Sequence, residues 1–408
     1  MIEAAMWIIY FCSLYLAVFW LLVLVAGKKK TERKFSEWPL VSILVPAYNE
    51  GECVGECLNS LLQLDYPRQK LEIIAINDGS TDTTLKEMQK FSEQVKVIDL
   101  EENKGTKAVP LNEGLRQAKG EFVACLDSDS IVESDVLKKM LKSFTDEDIG
   151  AVTPALKVYK PESMVEKLQW FEYILAIFLR KLMSFIDSVY VTPGPFTLYR
   201  KKVLEEVGYF DEDNITEDME MALRIQKHQY RIENVEDAYI HCYSPESLVN
   251  LYQQRRRWYE GLTANTFKYY DLFFNRSYGD FGILMPLNVV SVGVLLVSTG
   301  LFSYYFLEPL IRQVINLYLV EFDFMVFLKN MEFNMLLLDF DYTKIFVMGA
   351  VAVMGVLTLV LSHRMSREKI LKHGFKPLLV FMMFYFSFLG YMWAGTLARM
   401  VFGRKKKW

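Results

Sequence analysis

The stretch FVACLDSDS, residues 122–130, has an apolar run followed by two aspartates one residue apart. The run predicts a strand, and where that strand turns, Asp127 and Asp129 can both approach one cation or the phosphates that it binds. Carboxylate oxygens suit Mg²⁺ and Mn²⁺, which proteins bind through one or two carboxylates together with substrate phosphates. Turns also favour Asp and Ser, so an isolated pair of this kind is more often a simple turn. The segments around the pair therefore decide between a metal site and a turn.

The segments upstream repeat this arrangement of a short apolar strand followed by polar residues. We predict strands at residues 41–45, 71–76 and 95–99 and helices at residues 54–62, 83–91 and 111–118. Alternating strands and helices are typical of a parallel sheet with both faces covered. Ligands bind such sheets at the carboxyl ends of the strands. Polar residues collect at those ends, which predicts one shared site: Asn49, Glu50, Asn77, Asp78, Asp127 and Asp129.

The two ends of the chain are far more apolar than its middle. Of the 408 residues, 52% are hydrophobic, and they concentrate at Ala5 to Val25 and in three later stretches, residues 283–307, 345–361 and 378–400. Each stretch is long enough to cross a hydrocarbon core of about 30 Å. Lys28-Lys29-Lys30 follows the first stretch at once, which indicates that this end lies in the cytoplasm. We therefore predict a multi-pass protein of the cell membrane with a cytoplasmic α/β body.

The number of spans after the body stays open. Residues 308–344 are apolar but carry many charges, which are costly in hydrocarbon, so we predict an external or interfacial segment. With three spans after the body, the basic cluster at residues 404–407 lies outside, against the preference of Lys and Arg for the cytoplasm. A further span within residues 310–328 would instead place the basic loop at residues 363–376 outside. No count of spans satisfies both clusters.

The net charge argues against a nucleic-acid-binding protein, and the cysteine pattern argues against a protein held together by cysteine-bound metal or disulfides. The formal net charge of −4 is too small to indicate a nucleic-acid partner. The five cysteines form no C-x-x-C pair, and Cys53 and Cys57 on a predicted helix have no histidine or second pair beside them. We therefore expect reduced, structural thiols, in keeping with a cytoplasmic body.

Several short motifs follow one another in a single order across the body. They are VPAYNE at residues 45–50, NDGSTD at 77–82, KAVPLN at 107–112, DSD at 127–129, PGPF at 193–196, TED at 216–218 and QRRRW at 254–258. Together they resemble the family 2 glycosyltransferases. The last two resemble the T-E-D and Q-x-x-R-W motifs of the processive branch, the hyaluronan, cellulose, chitin and poly-N-acetylglucosamine synthases. The resemblance covers about residues 41–258 and extends to the membrane layout.

The resemblance implies a Rossmann-like α/β GT-A domain in a chain of four regions. We expect an N-terminal transmembrane anchor at residues 1–27, the GT-A domain at 28–243, interfacial helices with the Q-x-x-R-W motif at 244–281 and a C-terminal transmembrane region at 282–408. Residues 163–185 and 245–270 combine aromatic and basic residues as helices at a bilayer surface do. Two departures from the family are Gly105-Thr106, where Gly-Gly is common, and the single anchor before the body.

On the donor side, the resemblance assigns roles to residues at the strand ends. They are Tyr48, Glu50 and Asp78 for the nucleoside, expected to be uridine, Lys107 near the base or phosphates, and Asp127 and Asp129, which would hold the diphosphate through Mg²⁺ or Mn²⁺. A departing diphosphate needs cationic stabilisation, so such a metal agrees with the chemistry.

On the acceptor side, the resemblance makes Asp218 the general base and places Gln254, Arg257 and Trp258 over the donor and the acceptor. The attacking hydroxyl needs a base within hydrogen-bond reach, and Arg257 could help to stabilise the leaving group. Taken alone, Asp218 would more often be an acidic residue at the start of a helix than a base. Taken alone, Trp258 is equally explained as a core or interfacial tryptophan.

The resemblance implies an inverting transfer of a sugar from a nucleoside diphosphate sugar, expected to be a UDP-sugar, to a growing β-linked polysaccharide at the membrane. Transfer of a single sugar to a lipid-linked acceptor is the alternative. A membrane receptor that binds nucleotide sugars without turnover is a third hypothesis, which the set of four aspartates disfavours. The sugar, the linkage and the oligomeric state stay open.

Overall fold

The structure, a computed structural model, describes residues 2–27, 31–319, 321–322, 325 and 341–403. The basic clusters at residues 28–30 and 404–407 therefore lie outside the described residues, as do most of residues 320–340. The chain begins with helix α1 (Ile2–Ala26), and the α/β body starts at residue 41.

The first half of the body is the predicted parallel sheet. Its strands are β1 (Val41–Ala47), β2 (Leu71–Asp78), β3 (Lys96–Leu100) and β4 (Phe122–Cys125), and its helices are α2 (Val54–Leu62), α3 (Thr84–Gln89) and α4 (Ala108–Gln117). The four strands run parallel in the order β3-β2-β1-β4. Their polar carboxyl ends therefore meet at one edge of the sheet, as the sequence predicts.

Strand β1 continues two residues beyond the predicted end and runs through Pro46. A proline has no N–H to donate, so it disrupts the centre of a sheet. Here the pairing of β1 with β4 ends at Leu44, which lies opposite Cys125, while the pairing with β2 continues past Pro46 to Ala47. The missing N–H therefore costs no ladder hydrogen bond with β4.

The second half of the sheet, for which the sequence analysis predicted no strands, is mixed: β6 and β8 run parallel to each other, whereas other pairs are antiparallel. Strands β5 (Ser130–Val132), β6 (Ile149–Val158), β7 (Thr197–Arg200) and β8 (Arg231–Cys242) extend the order to β3-β2-β1-β4-β7-β6-β8-β5. Strand β7 is antiparallel to both β4 and β6, and β5 is antiparallel to β8. Because Thr197 pairs with Cys125, β7 starts where β4 ends, which brings the PGPF segment before it to the polar edge.

Helices cover both faces of the sheet. Ile43 and Val45 pack under α2 and α5 (Val136–Leu141), whereas Leu44 packs under α4, α7 (Lys201–Val207) and α8 (Glu217–Lys227). All three of these β1 side chains have 0% exposure, so alternate residues of the strand are buried on opposite faces. This is why the strand has a continuous apolar sequence rather than an alternating one.

Two long helices lie between the body and the apolar helices. They are α6 (Met164–Phe185), which starts with a capping box between Ser163 and Glu166, and α9 (Leu248–Lys268). The apolar helices are α10 (Phe281–Phe302), α11 (Glu308–Leu319), α12 (Tyr342–Met365), α13 (Phe375–Val380) and α14 (Phe386–Phe402), with π-helical turns at Ser303–Leu307 and Phe381–Tyr385. A third apolar cluster joins Trp170 and Phe171 of α6 to Leu378 and Phe381.

Four helices of the described residues are long and apolar enough to cross a membrane, and they correspond to the four predicted spans. They are Glu3–Ala26, Phe281–Leu319, Tyr342–Met365 and Phe375–Phe402. The second has 39 residues and is therefore about 58 Å long, which exceeds a hydrocarbon core of about 30 Å. Its last turns, which carry the Glu308–Arg312 ion pair, therefore continue beyond the core on the side away from the body.

The loop between α12 and α13 contacts the α/β body. Lys157 Nζ donates to Glu368 Oε1 at 2.9 Å and to the carbonyl of Ser366 at 3.1 Å, and Tyr239 Oη donates to the same carbonyl at 3.2 Å. The basic loop at residues 363–376 therefore lies on the same side of the apolar helices as the body.

Candidate active site

Gly194 lies where the two halves of the sheet meet. A Cβ atom added to it would lie 2.7 Å from Lys107 Nζ and 3.0 Å from both carboxylate oxygens of Asp127. The Gly194 backbone N–H also donates to Asp218 Oδ2 at 3.2 Å. Strand β7 runs antiparallel to β4, and the segment before β7 therefore places Gly194 beside both the Lys107–Asp127 pair and the Asp218 carboxylate.

Lys107 carries the positive charge of this region. Its ammonium group pairs with Asp127 and lies 3.9 Å from Glu217 Oε1. Burial lowers the pKa of Lys107, but the carboxylates of Asp127 and Glu217 raise it by more, so the side chain stays charged. In the structure this lysine neutralises part of a strongly acidic site.

The carboxylates near Lys107 repel one another. Burial, followed by the charge of Asp127, raises the pKa of Asp129 to about 6. Burial, followed by the charges of Asp129 and Asp127, raises the pKa of Glu50 to about 7. A bound cation would relieve this repulsion, because it stabilises the ionised form of each carboxylate.

The donor set fits Mg²⁺ or Mn²⁺. Among the described residues, no group of three or more His, Cys, Asp or Glu converges on one point, so the protein would supply only one or two ligands. Such ions commonly bind through one or two carboxylates and complete their coordination with water and substrate phosphates. Asp127 and Asp129 match that pattern, whereas an all-protein metal cage does not.

Asp218 is held in a fixed orientation in the first turn of α8. Its Oδ1 accepts from the Met219 backbone N–H at 2.7 Å and its Oδ2 accepts from Gly194 N–H, while its own carbonyl accepts from Thr192 Oγ1 at 2.6 Å. Burial raises the pKa of Asp218, and the charges of Lys107 and Arg257 oppose that rise. The Asp218 side chain therefore hydrogen-bonds within the first turn of α8 and also faces the acidic site.

Glu217 is a buried carboxylate that the sequence analysis did not select. Burial, followed by the charge of Asp218, raises its pKa to about 7. Its signal in the sequence was its place within the TED motif, beside Asp218.

The loops after β1 and β2 form the expected nucleoside end of the site. Tyr48 is 46% exposed at the surface of the first loop, and Asn49 ties this loop to the second by accepting from the Thr81 N–H at 2.9 Å. Asp78 Oδ2 accepts from Asn103 at 2.8 Å, while its buried Oδ1 has no hydrogen-bond partner within the described ranges. An unpaired buried acceptor is costly, so a donor group of a bound base would stabilise it.

The QRRRW segment lies on α9, which packs closely on the TED segment. Asn265 Nδ2 donates to Thr216 Oγ1 at 3.0 Å, and a Cβ atom added to Gly261 would lie 2.2 Å from that hydroxyl oxygen. Arg257 is exposed and acts electrostatically on Asp218, as noted above. Gln254 and Trp258 are partly buried on the same helix.

The structure brings the predicted residues together in three groups. Lys107, Asp127 and Asp218 surround Gly194, Glu50 lies near Asp129, and Tyr48 and Asp78 lie at the ends of the neighbouring strands β1 and β2. The sequence analysis missed Glu172 and Arg255, which form an ion pair beside Trp258 with oxygen–nitrogen distances of 2.8 Å. The roles of the predicted residues stay predictions.

Gly194→Ala should disrupt the site without unfolding the body. The added methyl group must displace the Lys107 ammonium group or the Asp127 carboxylate, because it would lie 2.7–3.0 Å from them. We expect nucleoside diphosphate affinity to fall about tenfold or more, as on loss of a charge-assisted contact. Calorimetric titration with UDP and Mn²⁺ measures this.

Gly55→Ala is the matched control for this prediction. Gly55 lies in α2, and a Cβ atom there would have no atom of the described structure within 4 Å. The exchange should raise stability by about 0.5–1 kcal/mol, as alanine does in a helix interior, and leave UDP affinity unchanged. Equal UDP affinity in both variants would contradict the proposed position of Gly194 in the site.

Comparison with known proteins gives one family and several relatives. Residues 42–208 match the family model described as glycosyl transferase family 2. A poly-β-1,6-N-acetyl-D-glucosamine synthase of Staphylococcus epidermidis is 37% identical over 225 residues, 54% of either chain. The synthase of the same name from Staphylococcus aureus strain COL is 37% identical over 237 residues, 57% of either chain. The chain thus spans about half the length of the curated relatives it matches.

A solved structure resembles the whole chain. A mannosyltransferase of Pyrobaculum calidifontis, in complex with GDP-Man and Mn²⁺, superposes with a TM-score of 0.63 and 19% identity, covering 99% of this chain and 100% of the other. At this identity the likeness concerns the fold alone. It confirms the predicted fold class, an α/β GT-A domain combined with helical segments.

Proposed function

We propose, on the premise that this chain carries a glycosyl transferase family 2 domain, that it is an inverting glycosyltransferase of the membrane. It moves a sugar from a UDP-sugar to a growing β-linked polysaccharide. One observation carries the proposal: Gly194 lies against the Lys107–Asp127 pair and donates a hydrogen bond to Asp218. The Lys107–Asp127 pair and a base would thus lie on either side of one anomeric carbon, the pair toward the departing diphosphate and the base toward the attacking hydroxyl.

The donor is proposed to bind across the strand ends. The unpaired Oδ1 of Asp78 accepts from the base, and the exposed ring of Tyr48 lies beside the same loops. N-Acetylglucosamine is named in both synthase relatives, so UDP-N-acetylglucosamine is the first donor to test.

Asp127 and Asp129 are proposed to hold Mg²⁺ or Mn²⁺. When bound, the ion would neutralise negative charge that develops on the departing diphosphate. Lys107 pairs with Asp127 and would add positive charge beside the same diphosphate. Arg257, whose charge already acts on Asp218, would supply further positive charge toward the donor.

Asp218 is proposed to remove the proton of the acceptor hydroxyl. As the proton moves to a carboxylate oxygen, the hydroxyl oxygen forms a bond to the anomeric carbon, and the bond from that carbon to the diphosphate oxygen breaks. The backbone N–H groups of Gly194 and Met219 keep the carboxylate in place during this step. A single displacement inverts the anomeric centre, so an α-linked donor gives a β-linked product.

Transfer of one sugar to a lipid-linked acceptor is the second candidate. One observation favours it: Phe267 and Tyr270, at the end of α9, are 74% and 73% exposed and would contact lipid. Such a surface would let a lipid-linked acceptor approach from the bilayer.

Product analysis separates the two candidates. The full-length protein in lipid should be incubated with a panel of nucleotide sugars, and its products analysed for size and, by NMR, for anomeric configuration. We expect turnover of a UDP-sugar and a ladder of β-linked products. A single addition would favour the lipid-linked acceptor, retention of configuration would refute direct displacement, and donor binding without turnover would indicate a receptor.

We further propose that the chain is a multi-pass protein of the cell membrane with its α/β body in the cytoplasm. Cysteines introduced at Ser92 of the body and at Lys369 of the α12–α13 loop should both resist an impermeant thiol reagent in intact cells. A cysteine at Val314, which is 57% exposed on α11, should react. The parent protein gives the background from its five cysteines. Labelling of Ser92→Cys in intact cells would contradict the orientation.

A further inference from the structure

Three helical segments meet at a partly buried carboxylate, that of Glu172. Arg255 of α9 donates from Nη1 and Nη2 to the two carboxylate oxygens of Glu172 on α6, each at 2.8 Å. Tyr385, the last residue of the π-helical turn before α14, donates its hydroxyl to Glu172 Oε2 at 2.6 Å. Arg255 is only 4% exposed, whereas the Glu172 side chain is 22% exposed, so the arginine side of the pair is shielded from solvent. We name these three residues the Glu172 clamp.

The Glu172 clamp is in direct contact with Trp258. The guanidinium carbon of Arg255 lies 4.3 Å from the centroid of the Trp258 ring, one helical turn further along α9. The next residue, Tyr259, stacks on Trp393 of α14 with ring centroids 4.0 Å apart and an angle of 12° between the planes. Two contacts therefore join the segment of α9 that carries Trp258 to the last apolar helix and the turn before it. One runs through Glu172 to Tyr385, and the other is the stacking of Tyr259 on Trp393.

An ion pair stabilises the packing of helices less effectively than apolar side chains do. Removing two charges from water is costly, and apolar residues of similar volume often give equal or greater stability. What a bidentate arginine–carboxylate pair adds is orientation, because its two parallel hydrogen bonds fix the plane of the guanidinium group. That plane is the surface against which the indole of Trp258 lies.

We propose that Glu172 and Tyr385 are positioning residues for the acceptor. By holding Arg255 against one face of Trp258, they fix the indole on which an acceptor sugar ring stacks. This inference rests on the proposed function. Among the described residues, the contacts of the clamp join α6, α9 and the turn before α14, and none of them involves a donor residue, so its loss should affect the acceptor more than the donor.

The first test is Glu172→Gln, assayed with UDP-N-acetylglucosamine and a short β-linked N-acetylglucosamine oligosaccharide. The amide keeps the shape but loses the charge and one acceptor oxygen. We expect the KM for the oligosaccharide to rise about 10- to 100-fold, as on loss of a charged hydrogen bond. UDP affinity and hydrolysis of the donor by water should stay within about twofold of wild type.

Tyr385→Phe keeps the test decisive if Glu172→Gln folds poorly. It removes one hydroxyl group, so we expect the same change in KM on a smaller scale, about 2- to 10-fold. Tyr391→Phe is its matched control, because Tyr391 makes a comparable side-chain hydrogen bond, of 2.5 Å, to Ser303 elsewhere among the membrane helices. Glu368→Gln is the control for Glu172→Gln, since Glu368 forms the ion pair with Lys157. Neither control should change the KM for the oligosaccharide.

A double-mutant cycle shows whether the clamp acts through Trp258. In a Trp258→Ala background, Glu172→Gln should raise the KM for the oligosaccharide no further, because the ring it positions is absent. An equal rise in both backgrounds would overturn the positioning role, as would an unchanged KM in a folded Glu172→Gln protein that hydrolyses donor. A wild-type protein that turns over no nucleotide sugar would overturn the proposed function, and the positioning role with it.

Discussion

Asp218→Asn should lower turnover by about 10²–10⁴-fold while nucleoside diphosphate binding stays almost normal. The acceptor hydroxyl has a pKa far above neutrality, so its attack depends on proton removal in the transition state. Asparagine keeps the shape of the side chain but cannot accept that proton. The expected loss corresponds to roughly 3–5 kcal/mol of transition-state stabilisation.

The effect of Asp218→Asn on stability should be small, since two contributions oppose each other. The amide can accept from only one of the two backbone N–H groups, of Met219 and Gly194, that now hold the carboxylate. It also removes a negative charge whose burial is unfavourable, as the raised pKa of Asp218 indicates. Thermal stability, UDP affinity and turnover should be measured on one preparation.

Asp271→Asn is the control for this exchange. Asp271 pairs with Lys227, the last residue of α8, at 2.7 Å and is far more exposed. It should leave turnover unchanged. If Asp218 served only to start α8, its replacement would lower stability and leave the activity of each folded molecule nearly intact. Near-normal turnover in a well-folded Asp218→Asn protein would remove it from the mechanism.

The raised pKa of Asp218 also sets the direction of the pH dependence. A base must be ionised, so transfer should decline as the pH falls through the pKa of Asp218, which burial raises. For stability the sign is reversed: the folded state holds the proton more tightly than the unfolded state, so this contribution is present at low pH and is lost as the pH rises through the folded pKa. Asp218→Asn should remove both dependences.

Chelation of divalent metal should abolish transfer, and Asp129→Asn should reduce turnover by about a thousandfold, since a metal ion supplies several kcal/mol to a departing diphosphate. Titration of UDP with and without Mn²⁺ provides a second measurement, because the variant should lose the metal-dependent part of the affinity. The pKa of Asp129, about 6, implies that Mn²⁺ binding strengthens as the pH rises through 6, because the ligand must be ionised.

Asp65→Asn is the control for the metal prediction. Asp65 pairs with Lys138 at 2.7 Å, and its side chain is 66% exposed. The exchange should leave both metal-dependent UDP binding and turnover unchanged. Full activity in excess chelator would exclude an essential metal and leave Lys107 and Arg257 as the cations available to the leaving group.

The first half of the body could be predicted from the sequence because its signals are local. Helix α2 has the predicted bounds, and the other elements up to β4 differ by a few residues. The direction of β7 could not be predicted in this way, since it depends on pairing with β4, whose residues lie some 75 positions earlier. That pairing decides where Gly194 lies and therefore how the site is assembled.

The same limit applies to the site residues. Motifs identified Asp127 and Asp218 as candidates, but nothing in the sequence indicated that Lys107 pairs with Asp127. The Glu172–Arg255 pair joins residues 83 positions apart, and although Arg255 lies within the QRRRW motif, nothing in the sequence indicates Glu172 as its partner. In the membrane region, hydropathy predicted the four spans, whereas the side on which the 363–376 loop lies followed only from its contacts with Lys157 and Tyr239.

The third apolar cluster has a consequence for how a cell makes this protein. Phe171 leaves the ribosome 210 residues before its neighbour Phe381, which at usual rates of synthesis is roughly 10–40 s. During that interval the apolar surface of α6 that packs against Leu378 and Phe381 stays exposed. A nascent chain is therefore open to aggregation or to capture by chaperones. Completion of the α/β body and its α6 surface is therefore tied to the synthesis of the final apolar helices.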